Sequence, residues 1–210
     1  MSIDTQLTAL TRARYNRLAP IYDWLETFVE ALSFRCWRER LWGQVKGQKI
    51  LEVGVGTGKN MPYYPPQAQV TAVDLSDRMV DRARHKAQRL GLDVEVREMD
   101  AQRLDFLDDS FDAAVATFVF CSVPDPVLGL RELARVVRPG GQIILLEHTR
   151  AENPLLGRLM DWLNPFVVRI MGANINRRTV DNVQRAGLKL ERVDDLSASG
   201  IVKLMVAEPG

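Results

Sequence analysis

Cysteine is scarce in this chain of 210 residues, which carries only Cys36 and Cys121. These two residues lie far apart and fit neither a disulfide framework nor a paired metal motif, so no metal site is predicted and a reducing compartment is favoured. The chain has almost no excess of charge of one sign, since the formal net charge is +1 and no long block of like charges occurs. This balance argues against a nucleic-acid partner.

Long apolar runs are absent as well. No run is long enough to cross a bilayer, and the start MSIDTQLTALTRAR lacks the basic and apolar regions of a secretory leader. We therefore expect a cytoplasmic protein. The hydrophobic content of 46% suits one well-packed domain.

Short apolar runs do alternate with helix-like stretches along most of the chain: KILEVGV, VTAVDLS, VEVREMD, FDAAVATFVF and GQIILLEH. Strands separated by helical crossovers predict right-handed βαβ units and a parallel sheet, hence an α/β fold. The last two runs, LKLERVDDL and IVKLMVAE, are joined by a linker too short for a helical crossover. They predict an antiparallel hairpin at the end of the sheet.

The sequence also indicates where three helices begin or end. Residues 77–90 carry apolar side chains at helical spacing and are followed by a glycine that stops the helix. Asp125 is the expected N-cap of a second helix, with proline in its first turn. A third helix is expected over residues 177–186, with Asn176 or Thr179 as its cap.

The stretch LEVGVGTG places Gly54, Gly56 and Gly58 in the first strand-to-helix turn. Ligands of parallel sheets bind at the carboxyl ends of the strands, where this turn lies. Glycines there adopt positive φ and let a ligand approach the main chain. The dinucleotide fingerprint G-x-G-x-x-G needs a glycine where Lys59 stands, so an NAD-dependent oxidoreductase is a minor alternative.

Three acids end successive strands at this same edge. Glu52 precedes the first glycine, where it would repel phosphate but accept hydrogen bonds from an ammonium group. Asp74 is placed to bind both hydroxyls of a ribose, and Asp100 to meet the edge of a base. Each acid alone has an explanation as a turn or helix cap, but three on one edge favour an adenosyl amino acid as the ligand.

On these motifs the chain resembles the class I S-adenosylmethionine-dependent methyltransferases. The resemblance runs from residue 49 to the C-terminus, through ILEVGVGTG, VTAVDLS, EMDAQRLDF, SFDAAVATFVFCSVPDP and LARVVRPGGQIILLEH. It implies a doubly wound, Rossmann-like sheet of seven strands, mostly parallel with a C-terminal antiparallel hairpin and helices on both faces. It also implies an enzyme whose cofactor is S-adenosyl-L-methionine.

The resemblance further implies which residues hold the cofactor. Glu52 and the glycine turn, including Gly54, Gly56 and Gly58, would hold the methionine moiety. Asp74 would bind the ribose hydroxyls. Asp100 with Ala101 would hold the adenine, which Leu75 and Met79 would flank. Thr117 and Phe118 would lie beside the methionine chain, and Tyr22 over the cofactor.

Within the family, the closest subgroup comprises quinone-biosynthesis, phospholipid N- and small-molecule thiol methyltransferases. The segment YNRLAPIYD resembles the lead-in of the first two, whose second tyrosine, here Tyr22, lies over the cofactor; Tyr15 is assigned to helix packing. The segment LLEHTRAENP resembles a strand end of the quinone and thiol enzymes. Quinone methyltransferases usually carry an Arg-Asn pair where this chain has Cys121-Ser122, which argues against a quinone substrate.

Methyl transfer is an in-line displacement that needs alignment and few catalytic side chains. A base is required only when the acceptor arrives protonated, and His148, at the end of the fifth strand, is the predicted base. A structural role for His148 in orienting the following loop is the alternative. Tyr22 is the other predicted catalytic residue, whereas His85 is assigned to the surface and Cys121 to packing.

Two segments outside the shared core are expected to select the substrate. Residues 1–48 would form an N-terminal helical lid, and residues 49–210 the cofactor-binding domain with a helical insertion near 153–178. Both segments carry apolar side chains, tryptophans and arginines, and Pro165 is expected to bend or break the inserted helix. Such helices suit a lid, peripheral contact with a membrane surface, or simple packing over the sheet.

The sequence therefore predicts a methyltransferase for a small lipophilic acceptor, with the amine headgroup of phosphatidylethanolamine as the first hypothesis. C-methylation of a quinone precursor and S-methylation of a small thiol are alternatives, and a non-catalytic cofactor-binding protein is the alternative of another class. The partners are thus a small-molecule or lipid substrate and, through the apolar basic helices, the membrane surface. No oligomeric state is predicted.

Overall fold

A computed structural model of the protein describes residues 3–29 and 34–210, apart from the side chains of residues 20–29 and 171. A short 3-10 helix follows the first strand at Met61–Tyr63. The regular elements are, in chain order, α1 (Thr5–Val29), α2 (Arg35–Trp42), β1 (Lys49–Val53), β2 (Gln69–Asp74), α3 (Asp77–Leu90), β3 (Val94–Glu98), β4 (Phe111–Thr117), α4 (Pro126–Val136), β5 (Val137–His148), α5 (Pro154–Met171), α6 (Thr179–Arg185), β6 (Lys189–Asp195) and β7 (Val202–Glu208).

The strands form one seven-stranded sheet in the order β3-β2-β1-β4-β5-β7-β6. Strands β1 to β5 pair in parallel, whereas β7 runs antiparallel to both β5 and β6. Val53 pairs with Val73 on one side and with Ala116 on the other, so β1, β2 and β4 end at the same level. The strand order reverses between β1 and β4, which is where ligands bind in open α/β sheets. The predicted fold class is confirmed.

The sheet is covered on both faces because successive side chains of a buried strand point to opposite sides. Leu51 of β1 belongs to a core that includes Leu130 of α4 and Val183 of α6. Ile50 belongs to a second core with Leu41 of α2, and α3 also packs on that face. Of the helices on these faces, α3, α4 and α6 are those that the sequence predicts.

Both ends of α3 and the start of α4 follow the sequence prediction, and the start of α6 does not. The Ser76 hydroxyl accepts the Met79 N–H at the start of α3, and Asp125 caps α4. The helix α6 begins at Thr179 without a side-chain cap, so the predicted caps are wrong. Both candidates are otherwise engaged, since the Thr179 hydroxyl donates to the His148 carbonyl and the Asn176 amide to Asp161.

The inserted helix α5 continues through Pro165, so the predicted break is wrong. Proline removes one intrahelical hydrogen bond, yet the helix is fixed at both ends. Asn153 accepts main-chain N–H groups at its start, and Gly172, with a φ of 78°, ends it in the left-handed conformation. Among the described residues, no helix is both long enough and apolar enough to cross a membrane.

The long N-terminal helix α1 lies across the carboxyl ends of β2 and β3. The Arg12 guanidinium donates to the Leu75 carbonyl at 3.1 Å and forms an ion pair with Glu98. The Gln102 amide, which follows β3, donates to the Thr8 hydroxyl at 3.1 Å. These contacts hold α1 over the edge where the strand order reverses.

Candidate active site

A cavity opens at the carboxyl ends of β1, β2 and β4, beside α1. The empty space within it, counted together with its open mouth, is ≈ 690 Å³. The structure brings together at this cavity most of the residues predicted to meet the cofactor, namely Gly54, Gly56, Asp74, Leu75, Met79, Asp100, Ala101, Thr117 and Phe118.

The glycines of the turn after β1 serve different purposes. A Cβ on Gly54, whose φ is 72°, would lie 2.3 Å from Val119 Cγ2, so this position must stay bare for the turn to pack. A Cβ on Gly56 would meet nothing within 4 Å. Gly56 therefore leaves open space beside a main-chain N–H, which suits close approach of a ligand. Gly58 packs against Met61 and does not line the cavity.

Asp74 joins the glycine turn to the start of α3. One carboxylate oxygen accepts the Gly56 N–H at 2.8 Å, and the other accepts the Ser76 N–H at 2.9 Å. Burial raises the pKa of Asp74, and these main-chain hydrogen bonds act in the opposite direction. The side chain is half-buried at the cavity wall, so its free lone pairs can accept hydrogen bonds from two hydroxyl groups.

Asp100 lies at the far end of the cavity from the glycine turn along β3. Its carboxylate accepts the Gln102 main-chain N–H at 2.9 Å and the Gln102 amide at 3.0 Å. Leu75 and Met79 supply apolar walls nearby. This end combines a hydrogen-bond acceptor with flat apolar surfaces, as an aromatic base requires.

Glu52 occupies a buried network below the turn. Its side chain is 1% exposed, and its carboxylate accepts hydrogen bonds from the Tyr64 hydroxyl and the Asn60 amide. Asn60 in turn accepts the Arg38 guanidinium at 2.8 Å. Burial raises the pKa of Glu52, while these hydrogen bonds and the charge of Arg38 act against that rise. Glu52 does not line the cavity, and its contact with the cofactor stays a prediction.

Among the cavity residues that the sequence prediction omitted are three with hydroxyl groups, Thr11, Tyr15 and Ser122. Thr11 and Tyr15 are one helical turn apart on α1, and the Tyr15 hydroxyl forms a hydrogen bond with the Ser122 hydroxyl. Burial raises the pKa of Tyr15, which keeps the phenol neutral. The signal was the first tyrosine of YNRLAPIYD. Tyr22 lies in the stretch of α1 whose side chains fall outside the description, so its roles stay predictions.

The loop after β4 is held in an uncommon conformation. Phe118 has a φ of 56°, a left-handed value that side-chain-bearing residues rarely adopt. The Glu147 carboxylate accepts the N–H groups of Val119 at 2.8 Å and Phe120 at 3.0 Å. Glu147 is 0% exposed, and within the described chain its second oxygen has no hydrogen-bond partner. Burial raises its pKa to about 7.

Glu147 is a further residue that sequence reasoning missed. Its signal was an acid inside the aliphatic run IILLEH, which would leave a buried carboxylate in need of donors.

His148 lies behind Phe118. The two rings stack with centroids 4.6 Å apart, and Phe34 meets Phe118 edge-on at 5.1 Å. His148 is not a lining residue of the cavity. Burial lowers the pKa of His148, and a hydrogen bond to the Ile201 main chain acts against that change. A neutral imidazole can act as a base, whereas the ring stack suits the orienting role; both remain predictions.

The two residues assigned to ordinary roles are placed as expected. His85 is exposed on α3, and Cys121 is buried. Burial raises the pKa of the Cys121 thiol to about 12, which removes any nucleophilic thiolate at neutral pH. Among the described residues, no group of three His, Cys, Asp or Glu side chains is arranged to hold a metal ion.

Comparison with known sequences connects this cavity to methyl transfer. The profile of the family described as "Methyltransferase domain" matches residues 51–145. A phosphatidylethanolamine N-methyltransferase from Cereibacter sphaeroides is 40% identical over 153 residues, which cover 71% of this chain and 73% of that protein. A demethylmenaquinone methyltransferase from Clavibacter sepedonicus is 33% identical over 172 residues, covering 77% and 69%.

Solved structures resemble the fold. A SAM-dependent methyltransferase from Thermotoga maritima superposes with a TM-score of 0.73 at 21% identity, covering 94% of this chain and 99% of that one. A geranyl diphosphate methyltransferase in complex with SAM gives a TM-score of 0.70 at 18% identity, covering 83% and 85%. At these identities the likeness concerns the fold alone.

Proposed function

Since the chain belongs to the class I S-adenosylmethionine-dependent methyltransferases, we propose that it methylates the amine headgroup of phosphatidylethanolamine. The enzyme class and the cofactor follow from the family; the acceptor is the proposal. The observation that carries it is the 40% identity to a phosphatidylethanolamine N-methyltransferase, against 33% for a quinone enzyme. The hydroxyl of Ser122 at the cavity, in place of the amide of an Arg-Asn pair, also favours an amine over a quinone.

The cavity fits the cofactor. Open space at Gly56 admits a ligand close to the main chain, and the half-buried Asp74 carboxylate is available to hydroxyl groups. We propose that Asp74 holds the ribose, that Asp100 with Ala101 holds the adenine, and that Thr117 and Phe118 flank the methionine chain. When bound, S-adenosylmethionine supplies a methyl group on a cationic sulfur, which a nucleophile attacks in line.

The acceptor nitrogen must be uncharged to attack, because an ammonium group has no lone pair. We propose that the Tyr15 and Ser122 hydroxyls accept its N–H bonds and direct its lone pair. A nitrogen–carbon bond forms as the sulfur–carbon bond breaks, and the product ammonium then releases a proton to water. The aromatic ring of Phe118 at the cavity wall suits a cation, which is the sulfonium before transfer and the product ammonium after it.

We propose the orienting role for His148, since it contacts Phe118 rather than the cavity. In this role its ring supports the strained Phe118 backbone and keeps the aromatic wall in place. The residues 1–48 are proposed as the lid, on the support of the α1 contacts with Leu75 and Glu98.

The test is an acceptor panel with methyl-labelled cofactor. The full chain is incubated with phosphatidylethanolamine, a demethylated quinone or a small alkyl thiol, each in the same detergent micelles, and products are identified by mass spectrometry. We expect label in the phospholipid, and a lower rate for Tyr15→Phe than for the matched Tyr63→Phe, since Tyr63 lies outside the cavity. Label in the quinone or thiol alone contradicts the acceptor. Retained cofactor with no labelled product contradicts catalysis.

A further inference from the structure

The helix α5 carries an exposed apolar face. Six of its large apolar side chains face solvent, with Trp162 68% exposed and Ile170 74% exposed. We call this set the α5 stripe; its members are Leu155, Leu159, Trp162, Leu163, Phe166 and Ile170. Isolated exposed apolar residues are ordinary, but six on one helix are a patch that marks an interaction site.

The members of the α5 stripe lie on one side of the helix. Residues in an α-helix are turned by about 100° from one to the next, so the spacing of the stripe confines it to an arc of about 100°. The other side is attached to the protein: Met160 accepts the Ala151 N–H at 3.3 Å, and Asn164 accepts the Ile175 N–H at 2.9 Å. These contacts fix the rotation of α5 and keep the stripe outward.

Positive charge borders the α5 stripe. Arg158 and Arg169 are both exposed, and their positions place them along one margin of the stripe. In the described part of the chain neither pairs with a carboxylate, because the neighbouring Asp161 is held by Arg150 at 2.8 Å. An apolar face that contains a tryptophan and is bordered by arginines is typical of helices that lie in the membrane interface.

The end of α5 is attached to the cavity wall. The Asn174 N–H donates to the Cys121 carbonyl at 2.9 Å, and the next residue, Ser122, lines the cavity. Gly172 at the end of α5 lies beside Arg14 of α1, since a Cβ there would be 3.2 Å from Arg14 Cδ. A surface that holds α5 would therefore also hold both the loop and the helix that border the acceptor side of the cavity.

We infer that the α5 stripe docks the enzyme on an anionic lipid bilayer, with the stripe in the acyl boundary and Arg158 and Arg169 among anionic headgroups. The inference rests on the proposed function, because a phospholipid acceptor is available only at such a surface. The charge of the margin selects the anionic bilayer over a second copy of the chain, since two copies joined through the stripe would bring like charges together. The helix lies on the membrane and does not span it.

The test is flotation of the full chain with vesicles of phosphatidylcholine containing or lacking 30 mol% phosphatidylglycerol. We expect binding to the anionic vesicles that weakens with salt. Trp162→Ser with Phe166→Ser should lower partitioning roughly tenfold or more, since two aromatic side chains leave the bilayer. Leu107→Ser is the matched control, because Leu107 is 83% exposed but lies outside α5.

Arg158→Gln with Arg169→Gln should also weaken binding, unlike the control pair Arg89→Gln with Arg185→Gln.

Equal binding of the stripe variant and the Leu107 control overturns the inference. So does a stable dimer in sedimentation that the stripe variant dissociates, because the stripe would then be covered by a second copy. Assays in detergent micelles separate this result from the proposed function. Failure of the wild-type chain to bind anionic vesicles, with phospholipid methylation in micelles intact, refutes docking alone. Stripe-dependent vesicle binding without phospholipid methylation refutes the acceptor alone.

Discussion

The two ends of the parallel strands treat their acids in opposite ways. At the amino end, Asp112 accepts the N–H groups of Gln48 and Lys49 and the guanidinium of Arg138, which lower its pKa to about 2. At the carboxyl end, Asp74 and Glu147 have raised pKa values because burial outweighs their main-chain hydrogen bonds. The amino end stabilises the charged form of its acid, whereas burial at the carboxyl end disfavours the charged form of Asp74 and Glu147.

The difference shows that locally unfavourable features are concentrated at the end of the sheet that holds the cavity. Acids with raised pKa values and a residue with left-handed φ occur together at the cavity, as is typical of active sites. At the opposite end, the polar groups around Asp112 fix the strand starts. Substitutions at the carboxyl end should therefore affect ligand binding as well as stability, whereas those at the amino end should affect stability alone.

The largest expected effect concerns cofactor affinity at Asp74. Asp74→Asn removes the charge that accepts ribose hydroxyls and weakens its hold on Gly56, so the Kd for S-adenosylhomocysteine should rise about 100-fold. Isothermal titration calorimetry measures this change. Asp112→Asn is the control and should leave the Kd unaltered. An unchanged Kd for Asp74→Asn would contradict a ligand-binding role at this end of the sheet, because the acid would then only shape the turn.

The second effect concerns stability at Glu147. Between pH 4.5 and 7 the folded protein keeps a proton on Glu147 that the unfolded chain has released, so stability falls as pH rises through this window. The loss amounts to roughly 3 kcal/mol above pH 7. Glu147→Gln keeps an acceptor for Val119 and Phe120 and has no such proton. Urea unfolding at pH 5 and pH 8 should therefore show that the free energy of unfolding of the variant, relative to the wild type, is higher at pH 8 than at pH 5. The same pH dependence in both proteins would contradict the prediction.

The third effect concerns stability at Asp112, whose dependence on pH is opposite in sign to that at Glu147. Because the folded pKa of Asp112 is about 2 and the usual value is 3.8, its contribution is present above pH 4 and is lost as pH falls toward 2. Asp112→Asn should lower the free energy of unfolding at pH 7 by about 1–2 kcal/mol after allowance for solvent screening. Thermal unfolding from pH 7 to pH 2.5 measures it. A difference from the wild type that persists undiminished at low pH would refute the electrostatic cause.

The smallest expected effect concerns catalysis at His148. In the orienting role, His148→Gln should lower kcat by less than about tenfold and leave the pH profile of kcat unchanged. A general base contributes about 10²- to 10⁴-fold. A loss of that size, together with loss of the acidic limb of the profile, would restore the base assignment. The Asp112→Asn protein again serves as the control for a merely structural change.

Much of the fold was predictable because its signals are local. The Asp125 cap, the glycine after α3 and the short β6–β7 linker are determined by neighbouring residues. The continuity of α5 through Pro165 depends also on contacts outside the helix, since Met160 and Asn164 accept main-chain N–H groups from Ala151 and Ile175. The start of α6 likewise depends on Thr179 contacting His148, a distant residue in the sequence.

The site was predictable where strand ends and glycines determine it, as at Gly56, Asp74 and Asp100. Tyr15 and Glu147 escaped prediction because their roles depend on pairing across the fold. Tyr15 meets Ser122, 107 residues away, and Glu147 meets the loop after β4. Burial distinguishes Glu52 from Asp74 in a similar way, although both acids end neighbouring strands.

The position of β7 constrains how the protein is made. This strand comes after β6 in the chain but lies between β5 and β6, with Leu204 and Met205 fully buried. While the ribosome still holds residues 202–208, the nascent chain has an open aliphatic edge at β5 and no place for β6. The sheet is complete only when this segment arrives, so a pause in translation before residues 202–208 emerge exposes the chain to aggregation and makes protection by chaperones most important at that moment.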